Sequence, residues 1–499
     1  MSRVDGRTVT SGHEATVDVV VVGSGPAGAT VARACARAGA TVAVVEAGPW
    51  IEPADAEISA FDSMAAGYRD MGASVLLGRA PIPYLQGRMV GGSSPINGGI
   101  CWRLPRDVHR EWVTRDPALG EALPWEELEA ITDAVEHDLN VAPTDPAVAG
   151  RKNELMATGA EALGLEHRPI RRNVRGCRGL GRCIQGCPEG NKLSMDRSYL
   201  PDAEEAGAIV ISSAPVRQIL LERGRAVGVQ GRAEGGGTVR VHARRAVVLA
   251  ASAIQTPALL LSNRLRHGPV GRYLSCHPGV SLAGRFAEPV RMWDGATQGH
   301  EVTGLRSEGL KFEVLGFGLA VLGSRLEGTG LTLARQVADM EHWLDWGAAI
   351  KSSARGRVRV LAGRTVVTYG LSRRDVALMR RGLRVMGDMM FAAGAERVAP
   401  GVSGWAPEIG DPAGLADLEA NGPRSPGAYT TAVTHMFGTC RMGSDPRTSV
   451  VRPDFRHHAV DGLYVADSSV FPSNTGVNPQ IAIIALATLC ARHVLGGAG

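Results

Sequence analysis

No apolar run in this chain is long enough to cross a bilayer, which takes about 20 consecutive apolar residues. The best candidate, Ile481 to Cys490, is short and reads as a buried helix. The stretch from Met1 to Thr16 is polar and irregular, without the apolar centre of an export signal. A surplus of one charge is missing too. Lys plus Arg is 54 against 50 for Asp plus Glu, a net charge of +4 spread over 499 residues. That balance gives no argument for nucleic acid or for an anionic membrane as a partner. Cysteine is too thin for a secreted disulfide scaffold, at 8 in the whole chain. The expected compartment is therefore the cytoplasm, with free thiols and no transmembrane segment. Internal repeats and low-complexity tracts are also absent.

What is present is an ordinary globular mix, 44% apolar and 21% charged. The length is too great for one simple core, so two intertwined domains that bury a large ligand are expected. Gly is abundant at 64, which suits tight turns and close backbone approaches. Val17 to Val22 is a nearly continuous apolar run, fit for a strand buried on both faces. Gly23-Ser24-Gly25-Pro26-Ala27-Gly28 follows at once, then an Ala-rich helix, then a second apolar strand from Thr41 that ends in Glu46. Strand, glycine turn, helix, strand and acid together are the context of a dinucleotide fingerprint. Gly23 makes the turn, Gly25 lets the backbone approach a pyrophosphate, and Gly28 lets helix and strand close up. The helix N-terminus offers N–H groups and a positive dipole to phosphates. Glu46 is placed to accept ribose hydroxyls, and an acid there disfavours a 2′-phosphate. This fingerprint alone does not separate FAD from NAD.

Further motifs follow in order. Gly87 to Gly98 contains Gly91, Gly92, Ser93 and Asn97. Val247 to Leu261 reads Val-Val-Leu-Ala-Ala-Ser-Ala-Ile-Gln-Thr-Pro-Ala-Leu-Leu-Leu. Val270 to Leu274 is followed by His277-Pro278. His435 opens His-Met-Phe-Gly-Thr-Cys-Arg-Met-Gly, and Leu463 to Pro472 with Asn478-Pro479 closes the set. The chain resembles the glucose–methanol–choline (GMC) oxidoreductases from about residue 17 to 495. It departs at Ser252, where that family usually has Gly.

The resemblance implies an α/β fold, α+β overall. A Rossmann-like FAD-binding domain spans residues 1–284 and 431–499, and a discontinuous antiparallel-sheet substrate-binding domain spans 285–430. It implies FAD, held by Gly23, Gly25, Gly28, Glu46, Gly91, Gly92, Ser93, Asn97, Asp467 and Pro479. Some members tether flavin through a histidine before the loop Asn. Ile96 stands there and cannot form that bond, so FAD is expected to be non-covalent. Asp467 lies at the carboxyl end of an apolar strand, where open α/β sheets present ligand-binding groups. Asn478 then Pro479 reads as an N-cap followed by Pro at the first helical position.

The implied activity is oxidation of a small-molecule alcohol to a carbonyl. Such chemistry needs a base for the hydroxyl proton, and a histidine titrates near neutral pH. His435 matches the family's catalytic histidine. Asn478 matches its second position, where an amide can hold the substrate oxygen. His277 reads as structural, and the adjacent His457 and His458 are expected to face water. A flavin lyase or decarboxylase of the same fold, or a non-catalytic flavoprotein, stands as the alternative.

One segment, residues 172–201, is loop-like and carries Cys177, Cys183 and Cys187 among Arg172, Arg175, Arg178 and Arg182. It resembles the three-cysteine segment of bacterial GMC dehydrogenases whose catalytic subunit holds a [3Fe–4S] cluster, which needs three thiolate ligands. That likeness implies the same cluster and a cytochrome-like electron acceptor. A plain loop, a Cys183–Cys187 disulfide or a structural zinc site remain open beside it.

Overall fold

Valine-rich stretches with no polar face can satisfy their backbone only inside a sheet covered on both sides. Val19, Val20 and Val21 are fully buried, as are Ala43 and Val44. In the computed structural model, which describes residues 2–53, 59–318 and 329–496, these stretches form the strands Gly12–Val22 and Val42–Val45. They lie at the middle of an eight-stranded sheet. Thr238–Leu249 pairs parallel to Gly12–Val22, and Leu463–Val465 pairs parallel to Thr238–Leu249. On the other side come Ile209–Ser212 and Arg3–Asp5, also parallel. An antiparallel edge of Arg225–Arg232 and Val216–Glu222 completes it.

Register places four strand ends side by side. Val22 is level with Val45 and Leu249, and Leu249 with Val465. Gly23, Glu46, Ala250 and Asp467 therefore leave the sheet along one carboxyl edge, the place where open α/β sheets bind ligands. The helix Pro26–Arg37 covers one face and packs against the C-terminal helix Gln480–Gly496.

The second sheet is antiparallel and seven-stranded. Ser275–Arg285 lies between Trp343–Ile350 and the pair Thr431–Phe437 and Arg397–Ala399. Leu310–Leu315, His300–Val302 and His167–Pro169 continue it. Its strands thus draw on residues before 285 and after 430. Arg357–Leu361 and Arg364–Thr368 pair across a tight turn. The helix Arg373–Ala392 starts from a capping box in which Ser372 and Asp375 satisfy each other's backbone N–H. Its Val376, Met379, Leu383, Met386 and Met390 are buried core, and so is Trp346.

Candidate active site

The glycine fingerprint is a set of backbone distances. A Cβ on Gly28 would lie 1.9 Å from Gly23 O, and one on Gly23 would lie 2.5 Å from Ala250 O. Gly23 also has φ +97°, a left-handed conformation that side chains resist. Gly25 differs, since a Cβ there would meet nothing nearer than Gly92 Cα at 3.8 Å. The space over Gly25 is open, and no side chain caps the helix that begins at Pro26. Uncapped first-turn N–H groups beside open space fit a pyrophosphate.

Residues 87–99 lie directly against this turn. Gly92, at φ +61°, approaches Gly25 so closely that a Cβ would sit 2.7 Å from its Cα. Ser24 Oγ accepts from Gly91 N–H at 3.0 Å and donates to Glu46 at 2.7 Å. Ser93 Oγ accepts from Gly87 N–H. Asn97 Nδ2 donates to Gln480 Oε1 at 2.5 Å, which ties the loop to the last helix. Buried Gln86 Oε1 and Gln480 Nε2 have no protein partner. Buried polar atoms left this way call for a ligand or water. Together these features fit FAD.

The two acids are busier than the sequence implies. Glu46 accepts from Ser24 N–H, Ser24 Oγ and Gly48 N–H, leaving little capacity for a ribose. Asp467 accepts from Ser252 N–H, Thr256 Oγ1 and Ser469 N–H, and burial raises its pKa. It pins the helix Ser252–Ser262 to the sheet edge. Ser252 sits there at φ +93°, which accounts for the family's glycine. Here its Oγ accepts from the N–H groups of Ile254 and Gln255 instead. Asn478 is not the helix cap. The helix begins at Gln480, Pro479 O accepts from Ile483 N–H, and Asn478 Oδ1 accepts from Lys311 Nζ at 2.9 Å.

His435 lies on the strand Thr431–Phe437 at an irregularity in its pairing with Ser275–Arg285. Such a bulge re-aims side chains, and here it turns His277 and His435 toward each other. Their Nδ1 atoms are 3.4 Å apart. His277 Nε2 accepts from Gly476 N–H at 2.8 Å, so its own proton is on Nδ1. That proton favours the His435 tautomer protonated on Nε2, but weakly, because 3.4 Å exceeds ordinary hydrogen-bond length. Burial lowers the pKa of His435 to about 4, with Glu313 opposing and Lys311 assisting. His435 is therefore neutral at pH 7 and holds a lone pair. Burial also lowers the pKa of His277 well below its ordinary value. Through Gly476 and Lys311 the loop that carries Asn478 joins the neighbourhood of His435.

Sequence reasoning missed the charges below this site. Lys311 is buried with Glu301 Oε2 at 3.0 Å and Glu313 Oε2 at 2.7 Å. Glu301 also accepts from Trp102 Nε1 at 2.7 Å and Arg168 Nε at 2.9 Å. Leu-Lys-Phe-Glu-Val-Leu reads like any strand with one wet face. The loop carrying Asn478 and the side chain of Trp102 lie against that face. His457 also departs from expectation, being buried at 2% exposure.

The cysteine segment is not arranged as a metal centre. Among the described residues, no three His, Cys, Asp or Glu side chains are grouped to hold a metal ion. A guanidinium gathers two of the thiols instead. Arg172 Nη2 donates to Cys183 Sγ at 3.1 Å and Nη1 to Cys177 Sγ at 3.7 Å. All eight cysteines, Cys187 included, are free, so no Cys183–Cys187 disulfide forms either. Lys192 donates to the carbonyls of Pro95, Asn97 and Cys183, clamping the segment to the loop below it. A [3Fe–4S] cluster at Cys177, Cys183 and Cys187 is not supported, and neither is a cytochrome-like partner. Among the described residues, no helix is long and apolar enough to cross a membrane.

Comparison with known proteins agrees with this geometry. The GMC oxidoreductase family matches residues 17–279 and 352–487. An uncharacterized GMC-type oxidoreductase of Mycobacterium tuberculosis is 38% identical over 96% of this chain and 76% of its own length. A long-chain-alcohol oxidase of Arabidopsis thaliana is 26% identical over 96% of this chain and 68% of its own. The crystal structure of pyridoxine 4-oxidase from Mesorbium loti superposes with a TM-score of 0.69 at 19% identity, covering 95% of this chain and 98% of that one.

Proposed function

The chain belongs to the GMC oxidoreductase family, and from that membership we propose that it oxidises an alcohol to a carbonyl compound at a non-covalent FAD. The observation that carries the reading is the meeting of a half-buried, neutral His435 with the Asn478 loop beside the cofactor cradle. Bound FAD supplies the hydride acceptor. Gly25 and the uncapped helix N-terminus would hold its pyrophosphate, with Gly23 and Gly28 closing the turn beneath it and Glu46 ordering that turn through Ser24 and Gly48. Gly91, Gly92, Ser93 and Asn97 line its other side, with Asp467 and Pro479 at the sheet edge and the last helix. Ile96 offers no nucleophile for a covalent link.

His435 takes the hydroxyl proton on Nε2, which requires the tautomer with its own proton on Nδ1 and gives up the weak 3.4 Å contact with His277. Its burial serves this role, since it keeps the lone pair available at neutral pH and excludes water from the proton. The Asn478 amide holds the substrate oxygen in place. The alcohol-oxidase relative supports an alcohol as the substrate class, at an identity too low to choose among alcohols.

The test has two steps. Acid precipitation should leave a yellow supernatant of free FAD and a colourless pellet. Anaerobic mixing with 1-dodecanol, choline, pyridoxine and glucose should bleach the flavin with at least one of them. Flavin that stays oxidised with every alcohol tried would refute alcohol oxidation and return the lyase and non-catalytic readings.

A further inference from the structure

Lys311 is a buried ammonium with three protons and three partners, Glu313 Oε2 at 2.7 Å, Asn478 Oδ1 at 2.9 Å and Glu301 Oε2 at 3.0 Å. Burial alone would lower its pKa, but Glu301 and Glu313 outweigh that and keep it charged. Each N–H is spent, so Lys311 has nothing left to give a substrate directly. What it touches at the candidate site is the amide of Asn478.

An ammonium donates and never accepts. The Asn478 atom that faces it must therefore be the oxygen, a case in which chemistry settles the usual ambiguity between amide O and N. Flipping the amide would set an NH2 group against an NH3+ group, losing a charge-assisted bond and leaving buried donors opposed. We infer that Lys311 is a positioning residue: it locks the Asn478 amide with its oxygen turned inward, so that Nδ2 is the group left to donate to the substrate oxygen. This rests on the alcohol-oxidation reading and deepens it. A donor, unlike a carbonyl, is matched to the negative charge that grows on oxygen as the hydroxyl proton leaves.

The lock is itself anchored. Glu301 and Glu313 stand directly opposite each other on adjacent strands, where like charges repel. Lys311 sits between them. Glu301 is further held by Arg168 from the next strand and by Trp102, beneath a stacked Arg168 guanidinium 4.4 Å from the indole ring. The geometry runs from the sheet edge to the Asn478 amide with no unsatisfied carboxylate oxygen on Glu301.

The test is a double-mutant cycle on the FAD-loaded enzyme, read by anaerobic flavin reduction with 1-dodecanol. Lys311→Met should lower the limiting reduction rate about tenfold or more, against a loss of about a hundredfold for removing one donor outright. The 1-dodecanol concentration for half-maximal rate should change little. Asn478→Ala should cost about a hundredfold in the wild-type background, but only a small further factor in Lys311→Met, because the amide is already unlocked. Losses that simply multiply would overturn the inference. If Lys311→Met does not fold, Lys311→Met with Glu313→Gln removes the stranded charge, and Glu313→Gln alone is its reference. If wild type is not reduced by 1-dodecanol, the alcohol reading has failed for that probe, and urea unfolding of the same four proteins decides the contact. Asn478→Ala should then shift the unfolding midpoint in wild type and not in Lys311→Met, and equal shifts would reject the lock.

Discussion

The cofactor cradle and the proton-handling end lie side by side and are built on opposite principles. In the cradle, backbone meets backbone. Gly28 against Gly23 O and Gly92 against Gly25 leave no room for a side chain. At the proton-handling end, side chains from five separate stretches meet. His277, Glu301, Lys311, His435 and Asn478 are held by charge and hydrogen bonds at 2.7–3.4 Å. The first kind of site is intolerant of volume, and the second is intolerant of lost charge or lost donors.

That contrast can be broken from either side, and the largest effect belongs to the cradle. Gly28→Ala places a methyl group 1.9 Å from a carbonyl oxygen. The expected protein is insoluble or colourless, as measured by flavin absorbance per folded chain. A yellow Gly28→Ala protein would show that the cradle yields more readily than its backbone distances imply. His435→Ala attacks the other end. It should keep full flavin content and slow anaerobic reduction by about a hundredfold or more, the usual worth of a positioned base. Loss of flavin in that variant would merge the two regions into one structural unit.

Acid sharpens the same contrast, because the cradle segments contain no histidine. His435 keeps its lone pair down to about pH 4, so reduction should hold steady well below 6.5 and fade only near 4. Stability follows a different course. His435, His300 and His457 all have folded pKa values near 4, against 6.5 in an ordinary histidine. Between those values the unfolded chain binds protons that the folded chain refuses, so stability is full above 6.5 and is lost as pH falls toward 4. Unfolding midpoints across that window check it. A flat profile would mean the buried rings are already hydrated. The smallest expected effect lies in neither region. Cys177→Ser should leave flavin content and reduction rate nearly unchanged and cost about 1 kcal/mol or less, as one long thiol contact to Arg172 is replaced. Stoichiometric iron in wild-type protein prepared with ample iron would overturn this and give the thiols a metal after all.

How far each region was legible follows from the same difference. Glycine spacing encodes backbone distances, and those survive translation into structure, so Gly23, Gly25, Gly28 and the flanking valine strands read directly. The capping box at Ser372 and Asp375 is equally local. Lys311 and Glu313 were opaque because alternation along a strand cannot say whether the second face meets water or a covering loop. Cysteine spacing was misleading for a related reason. Three thiols close in sequence say nothing of where sulfurs point, and Arg172 drew two of them to itself. Asn478 and Pro479 were legible as a helix start but displaced by one residue, since Lys311 took the oxygen that a cap would have used.

The short strand Leu463–Val465 completes a sheet whose central members are Gly12–Val22 and Val42–Val45, and the helix Gln480–Gly496 packs against the helix that covers it. On the ribosome this imposes a wait. At about 5–20 residues per second, the glycine turn emerges some tens of seconds before the partners that close its edge. Until then Val247–Leu249 lacks its Leu463–Val465 neighbour, an edge open to wrong pairing. A message truncated shortly before its end would yield a nearly full-length polypeptide with an intact phosphate-binding turn and no finished vessel for the cofactor, a product marked for proteolysis.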